Sequence, residues 1–262
     1  MSDAALLLET RGPVAWLTLN RPKAMNALNL EVIGLFEQYL PQIAEDDSIR
    51  VVVITGAGSA FCAGADLKEV LASGNLPAGE QDFLDRLCTN VLDVLRNFDK
   101  PVIAALNGIT MAGGLETAMC ADLVVATEDT KIGDAHANFG VYPGAGGAAL
   151  LPRIVPMNVA KYLLLTGKTL SAAEMKTYGF VNQVVAPGAL VDTVQCLAEH
   201  IAGNSPLAMR RMKVVANEAL DKSRDDALAH EQVEFRKHQR SWDMHEGLKA
   251  FSEKRKPRFQ GR

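Results

Sequence analysis

Five short apolar runs, each cut off where the backbone must turn, constrain this chain more than any other feature of its sequence. VAWLTL (14–19) stops at Asn20-Arg21-Pro22, VVVIT (51–55) at Gly56, and PVIAAL (101–106) at Asn107-Gly108. DLVVAT (122–127) follows soon after, and VNQVV (181–185) closes the series before Pro187-Gly188. Runs this apolar, bounded by Gly, Pro and Asn, read as buried strands. Between them, 29–44 and 80–98 carry apolar residues at helical spacing, among them Phe83, Leu84, Leu87, Val91, Leu92 and Leu95. Strands alternating with helices predict an α/β core with largely parallel pairing.

Beyond about residue 190 the strand signals cease. The stretches 189–203, 206–221 and 224–256 are helical in pattern, interrupted at Gly203-Asn204-Ser205-Pro206. Ser171-Ala172-Ala173-Glu174 is a capping box, since the serine and glutamate side chains can satisfy free amides at a helix start. The chain is therefore expected to divide into a core, 1–190, and a helical segment, 191–262, that covers the core or meets another subunit. Its 262 residues suffice for one large domain or one domain with an appendage. A net charge of -4 gives no electrostatic reason to bind nucleic acid or an anionic membrane. No apolar run reaches the ~18 residues of a membrane span, and MSDAALLLET lacks the basic start of a signal peptide. Cys62, Cys88, Cys120 and Cys196 form no C-x-x-C pair, which fits a reduced, cytoplasmic location with buried thiols.

Three common glycine signatures fail on inspection. TGAGSAFCAGADLKE (55–69) follows a strand, but a dinucleotide loop needs glycine where Phe61 stands. The stretch ending Gly167-Lys168-Thr169 has Tyr162 in place of the leading glycine of a phosphate loop. A nucleophile elbow centred on Ser59 would be flanked by Ala57 and Phe61 rather than glycines. NGITMAGGLETAMCAD (107–122) is different: it leaves a buried strand, turns at Gly108 and enters a helix at Gly113-Gly114. Unpaired amides at a helix start, with no side chain in the way, can approach a ligand oxygen. Glu116 lies in the same turn, so an oxyanion pocket and a carboxylate are expected in one place. Alone, such a glycine pair more often serves tight helix packing.

Five blocks in register change the balance. NRPKAMNALN (20–29), FCAGADLKE (61–69), NGITMAGGLE (107–116), GVYPGAGG (140–147) and FSEKRKPRF (251–259) together resemble the enoyl-CoA hydratase/isomerase, or crotonase, family across essentially the whole chain. The resemblance implies a crotonase-like α/β spiral of ββα units with a C-terminal helical trimerisation segment, in a trimer or a dimer of trimers. It implies an acyl-CoA thioester substrate whose oxygen is held by the backbone N–H groups of Ala65 and Gly113. Ala63, Asp66, Leu67 and Lys68 match the stretch lining CoA, Gly114 lies beside the acyl group, and Phe251 and Lys254 match residues near a neighbouring subunit's CoA. No metal or redox cofactor is implied, because CoA arrives as part of the substrate.

The implied reaction is reversible hydration of a 2-enoyl-CoA, an acyl-CoA lyase activity, with Glu116 as principal acid/base. Isomerisation, thioester hydrolysis or decarboxylation through the same enolate, or acyl-CoA binding without catalysis, are the alternatives. The chain departs from the family at its second glutamate, where His136 stands in TKIGDAHANFGVYPGAGG (130–147). A histidine can act as acid or base near neutral pH, or simply line the pocket; as a metal ligand its one evident companion is Asp134. Cys62, a formal candidate for an acyl-cysteine, shows no adjacent base in the sequence. VLASGNLPAGEQD (70–82) is expected to shape the acyl pocket.

Overall fold

The structure, a computed structural model, describes residues 4–73 and 81–262; residues 74–80 of the expected pocket segment 70–82 lie outside the described residues. Strands β1 (Leu6–Arg11), β2 (Val14–Leu19), β3 (Val51–Gly56), β5 (Val102–Leu106), β7 (Leu123–Thr127) and β10 (Gln183–Val185) form a six-stranded sheet in that spatial order. Strands β4 (Ala60–Cys62), β6 (Ile109–Met111), β8 (Lys131–Gly133) and β9 (Thr169–Ser171) form a second, four-stranded sheet. Pairing is parallel except for β1 with β2 and β8 with β9. The chain visits the large sheet, then the small one, then a helix, and repeats: β3–β4, β5–β6 and β7–β8 are three such turns. This is the ββα spiral that the family resemblance implies.

The apolar runs arise because the large sheet is buried on both faces. Ala15, Leu17, Val52, Ile54, Val102, Ala104, Val124 and Ala126 point into the larger core. Their alternates Val14, Trp16, Val51, Val53, Ile103, Ala105 and Val125 point into a second cluster with Leu190, Val194 and Ala198. Helix Leu190–Ala202 therefore closes that second face, and Trp16 Nε1 donates to Gln195 Oε1 across it at 2.7 Å. A buried indole keeps its hydrogen bond this way.

Most predicted elements stand where the pattern places them, and the capping box forms at Ser171 and Glu174. The expected helix within 80–98 runs as Phe83–Arg86, a π-helical stretch Leu87–Leu92 and Asp93–Arg96. The stretch 224–256 is two helices, Arg224–Gln239 and Trp242–Ser252, because the Ser241 hydroxyl accepts from Met244 N and starts a new helix. The basic tail is anchored rather than frayed: Arg255 pairs with Glu246, and Asp243 accepts from the amides of Gln260 and Gly261. Among the described residues no helix is long and apolar enough to cross a membrane.

The loop before the first long helix is fastened to β4 through Asn26. This buried side chain donates to the carbonyls of Ala57 (2.9 Å) and Ala60 (2.7 Å) and accepts from Arg21 N (2.9 Å), and its φ of 57 suits asparagine. Asn26→Ala removes all three bonds and leaves buried backbone groups short of partners, so it should lower the unfolding free energy by about 2–3 kcal/mol. Urea unfolding of the two proteins checks this; a loss below about 0.5 kcal/mol, the range of ordinary surface changes, would show that the loop is held by something else.

Candidate active site

Two chain segments meet where β4 and β6 end side by side. After β4, Leu28 pairs with the backbone around Ala65: Leu28 N donates to Gly64 O at 2.8 Å, and Asp66 N donates to Leu28 O at 2.7 Å. Leu28 thus satisfies the residues on either side of Ala65, and the Ala65 N–H is turned away from it. After β6, Ala112 takes the unusual conformation φ 50, ψ −122, and helix Gly113–Ala118 begins. The Gly113 N–H, in the first turn, has no intrahelical acceptor. A Cβ on Gly113 would lie 3.2 Å from Ala65 N, so the two amides flank a small common space that glycine leaves open. Gly64, at φ +120, makes the turn that brings Ala65 there.

The second glycine has another reason. A Cβ on Gly114 would sit 2.1 Å from the Cys62 carbonyl oxygen, so glycine at this position lets the helix lie directly on β4. The pair therefore combines one open position, Gly113, with one packing position, Gly114.

Glu116 follows on the same helix and is only 3% exposed. Its Oε1 accepts from Ala145 N at 3.0 Å and Gly147 N at 2.8 Å, both in the glycine-rich block 140–147. Burial pushes its pKa up, against the opposing pull of those amides and of His136. The loop after β8 brings His136 to the same place: its Nδ1 lies 3.0 Å from Oδ2 of Asp134, which is 1% exposed. Charge holds the pair, and neither atom has an aligned hydrogen-bond partner among the described residues. Burial opposes the imidazolium, but the carboxylates of Asp134 and Glu116 outweigh it and raise the His136 pKa. A Cβ on Gly147 would lie 2.8 Å from Asp134 Oδ2 and 3.3 Å from Glu116 Oε1, which places both carboxylates around one glycine.

The remaining sequence candidates spread outward from this centre. Ala63 is half-buried, its amide donating to Met25 O. Asp66 is engaged by Arg21, Nη2 to Oδ2 at 3.0 Å, and Leu67 and Lys68 are exposed on helix Leu67–Ser73. Phe251, 86% exposed, and Lys254, also exposed, stand near the far end of the chain. Cys62 is fully buried and burial pushes its thiol up to about 12, which removes it as a nucleophile. The Ala145 and Gly147 amides are the site groups that sequence reasoning missed, and Asp134 was weighed there only as a metal-ligand companion of His136. Its spacing two residues from His136 was the signal; nothing in the sequence says that the two amides turn onto Glu116.

A family model for enoyl-CoA hydratase/isomerase matches residues 9–262. The crotonyl-CoA hydratase of Syntrophomonas wolfei is 37% identical over 99% of this chain and 99% of its own. The short-chain-enoyl-CoA hydratase of Clostridium acetobutylicum is 36% identical over 96% and 95%. The crystal structure of an enoyl-CoA hydratase from Bacillus anthracis superposes with a TM-score of 0.90 at 34% identity, covering 98% of this chain and 100% of that one.

The two glycines should respond differently to a methyl group. Gly114→Ala drives Cβ into a backbone carbonyl and should cost about 3 kcal/mol or more, the upper end of overpacking. Gly113→Ala meets its nearest atom at 3.2 Å and should cost about 1 kcal/mol or less, the lower end of the same range. Paired urea titrations would show the contrast; equal losses would remove the packing role given to Gly114.

Proposed function

We propose that this chain, which belongs to the enoyl-CoA hydratase/isomerase family, adds water reversibly across the double bond of a 2-enoyl-CoA to give the 3-hydroxyacyl-CoA. The observation that carries the reading is a buried carboxylate beside two converging amides. In the proposed roles, the N–H groups of Ala65 and Gly113 hold the thioester oxygen, which gathers negative charge as the enolate forms. Glu116 takes its place at the acyl carbons: one oxygen is fixed by Ala145 N and Gly147 N, and the other is left to handle the proton of the attacking water. His136 is the second proton-transfer group. The reaction so drawn is that of an acyl-CoA lyase and needs no cofactor beyond the CoA of the substrate.

Asp66, Leu67 and Lys68, on the shoulder of the oxyanion turn, are proposed to line the CoA. A homotrimer or homohexamer is part of the proposal. Helices Pro206–Ala219 and Arg224–Gln239 bury no residue within the chain, yet they carry the exposed apolar side chains Met212, Val214, Leu228, Val233 and Phe235. An apolar face of this kind is satisfied by another subunit. Phe251 and Lys254, both exposed, would reach the neighbouring subunit's CoA. The assembly is proposed to work in the cytoplasm.

Crotonyl-CoA provides the test. The purified protein should lower the enoyl-thioester absorbance to a constant equilibrium level, and Glu116→Gln should lower turnover by ~10²–10⁴ while acyl-CoA still binds. The amide oxygen of glutamine can accept the same two N–H groups, so the variant should fold as the parent does. No absorbance change across several chain lengths would overturn hydration in favour of isomerisation or another enolate reaction. Turnover near the parent's in Glu116→Gln would remove Glu116 from the mechanism.

A further inference from the structure

We infer that Asp134 is a positioning residue that holds His136 as an imidazolium through Nδ1 and so leaves Nε2 to serve the proton-transfer role proposed for His136 above. This rests on the hydration reading above and adds to it the residue that sets the charge and tautomer of the histidine. The argument begins with an anomaly. Asp134 is almost fully buried, and its Oδ2 finds no hydrogen bond among the described residues; His136 Nδ1 lies 3.0 Å from it. An ionised carboxylate left unpaired at such depth is strongly disfavoured, so its natural place there is opposite a cation. His136 is the group that supplies one. Asp134 Oδ1 also accepts from His136 N at 3.3 Å, so one side chain meets both the backbone and the ring of the same residue.

With Nδ1 turned to Asp134, ring geometry leaves Nε2 as the nitrogen available for transfer. The carboxylates acting on the ring are Asp134 and Glu116. Helix Met157–Thr166 packs on the same turn and carries Lys161 and Tyr162, neither of which contributes charge at the imidazole. Two anions face one ring, which favours the charged form and makes an acid of His136. Glu116 Oε1 is pinned by two amides, which favours the carboxylate once His136 is cationic and makes a base of Glu116.

The step then balances. Water oxygen bonds to C3, and its proton passes to Glu116. The C2–C3 π pair moves toward C1, and the resulting enolate oxygen is held by Ala65 and Gly113. His136 Nε2–H delivers its proton to C2 and the thioester carbonyl re-forms. One water has been added, and proton return from Glu116 to His136 resets the site. The two groups titrate as a coupled pair.

Nuclear magnetic resonance of the ring nitrogens, without substrate, tests this independently of any turnover. In the parent protein, neutral His136 should carry its proton on Nδ1; a neutral ring protonated on Nε2 would overturn the inference. In Asp134→Asn the His136 titration midpoint should fall by ~1–3 units, the usual effect of losing an adjacent opposite charge. An unchanged midpoint would also overturn it. Asp134→Glu, which keeps the charge, should restore most of the shift, and the alkaline limb of kcat should follow the midpoint in each variant while KM changes little. Should Asp134→Asn fail to fold, the parent tautomer still decides. Should crotonyl-CoA prove not to be hydrated, the ring measurements stand apart from that result.

Discussion

The site depends on one close approach, the contact of β4 with β6 and with the helix that follows β6. At its start, a Cβ on Gly108 would lie 2.1 Å from the Ser59 carbonyl oxygen; at its end, a Cβ on Gly114 would lie 2.1 Å from that of Cys62. Neither end admits a side chain. Within these limits three-residue strands run in parallel, too few residues for a stable pairing by themselves. They are carried by β3 and β5, adjacent strands of the large sheet, whose positions are set by apolar cores on both faces. The spacing of the Ala65 and Gly113 amides is thus inherited from backbone packing, and the surrounding loops can vary without disturbing it.

That backbone frame also decides the electrostatics. Glu116 points from the same helix turn into a space already lined by protein, so its charge is deprived of water. The block 140–147 answers with amides rather than a cation: Ala145 and Gly147 bind one carboxylate oxygen, and glycine at 147 leaves room for Asp134 on its other side. A larger residue there would collide with both carboxylates. Glycine at 147 is therefore a matter of fitting two buried anions around one piece of backbone.

How much of this could be read from the sequence follows from the same physics. Strands of the large sheet were legible because burial on both faces leaves unbroken apolar runs, as in PVIAAL and DLVVAT. β1 (LLLETR) was not, since its second half is polar and it pairs at the edge of the sheet. The short strands of the small sheet were invisible, because three residues carry no period. The break at Ser241 was missed although serine is a good helix start, since the helical pattern runs on through it. Gly113 and Glu116 could be proposed from helix-start chemistry, whereas Ala65 came only from the family resemblance: an alanine in a turn advertises nothing about its amide. Asp134 was noticed only as a companion of His136, because a carboxylate before a histidine is ordinary in a loop until burial makes it expensive.

The histidine at the second acid/base position looks at first like a loss, since the resemblance implies a glutamate there. Charge counting suggests otherwise. Two carboxyl groups that share one proton carry a single net negative charge. Replacing the protonated one by an imidazolium, with Glu116 ionised, would bring that sum to zero and leave the site differently poised toward an anionic enolate. A third group, the Asp134 carboxylate, returns the sum to one negative charge: minus one from Glu116, plus one from His136 and minus one from Asp134. The donor has also changed in kind. A neutral carboxylic acid depends on burial to keep its proton, but an imidazolium is disfavoured by burial and depends on a neighbouring anion instead. Asp134 lies where that anion is required, 3.0 Å from the ring, so the histidine and the aspartate act together where the resemblance implies a second glutamate.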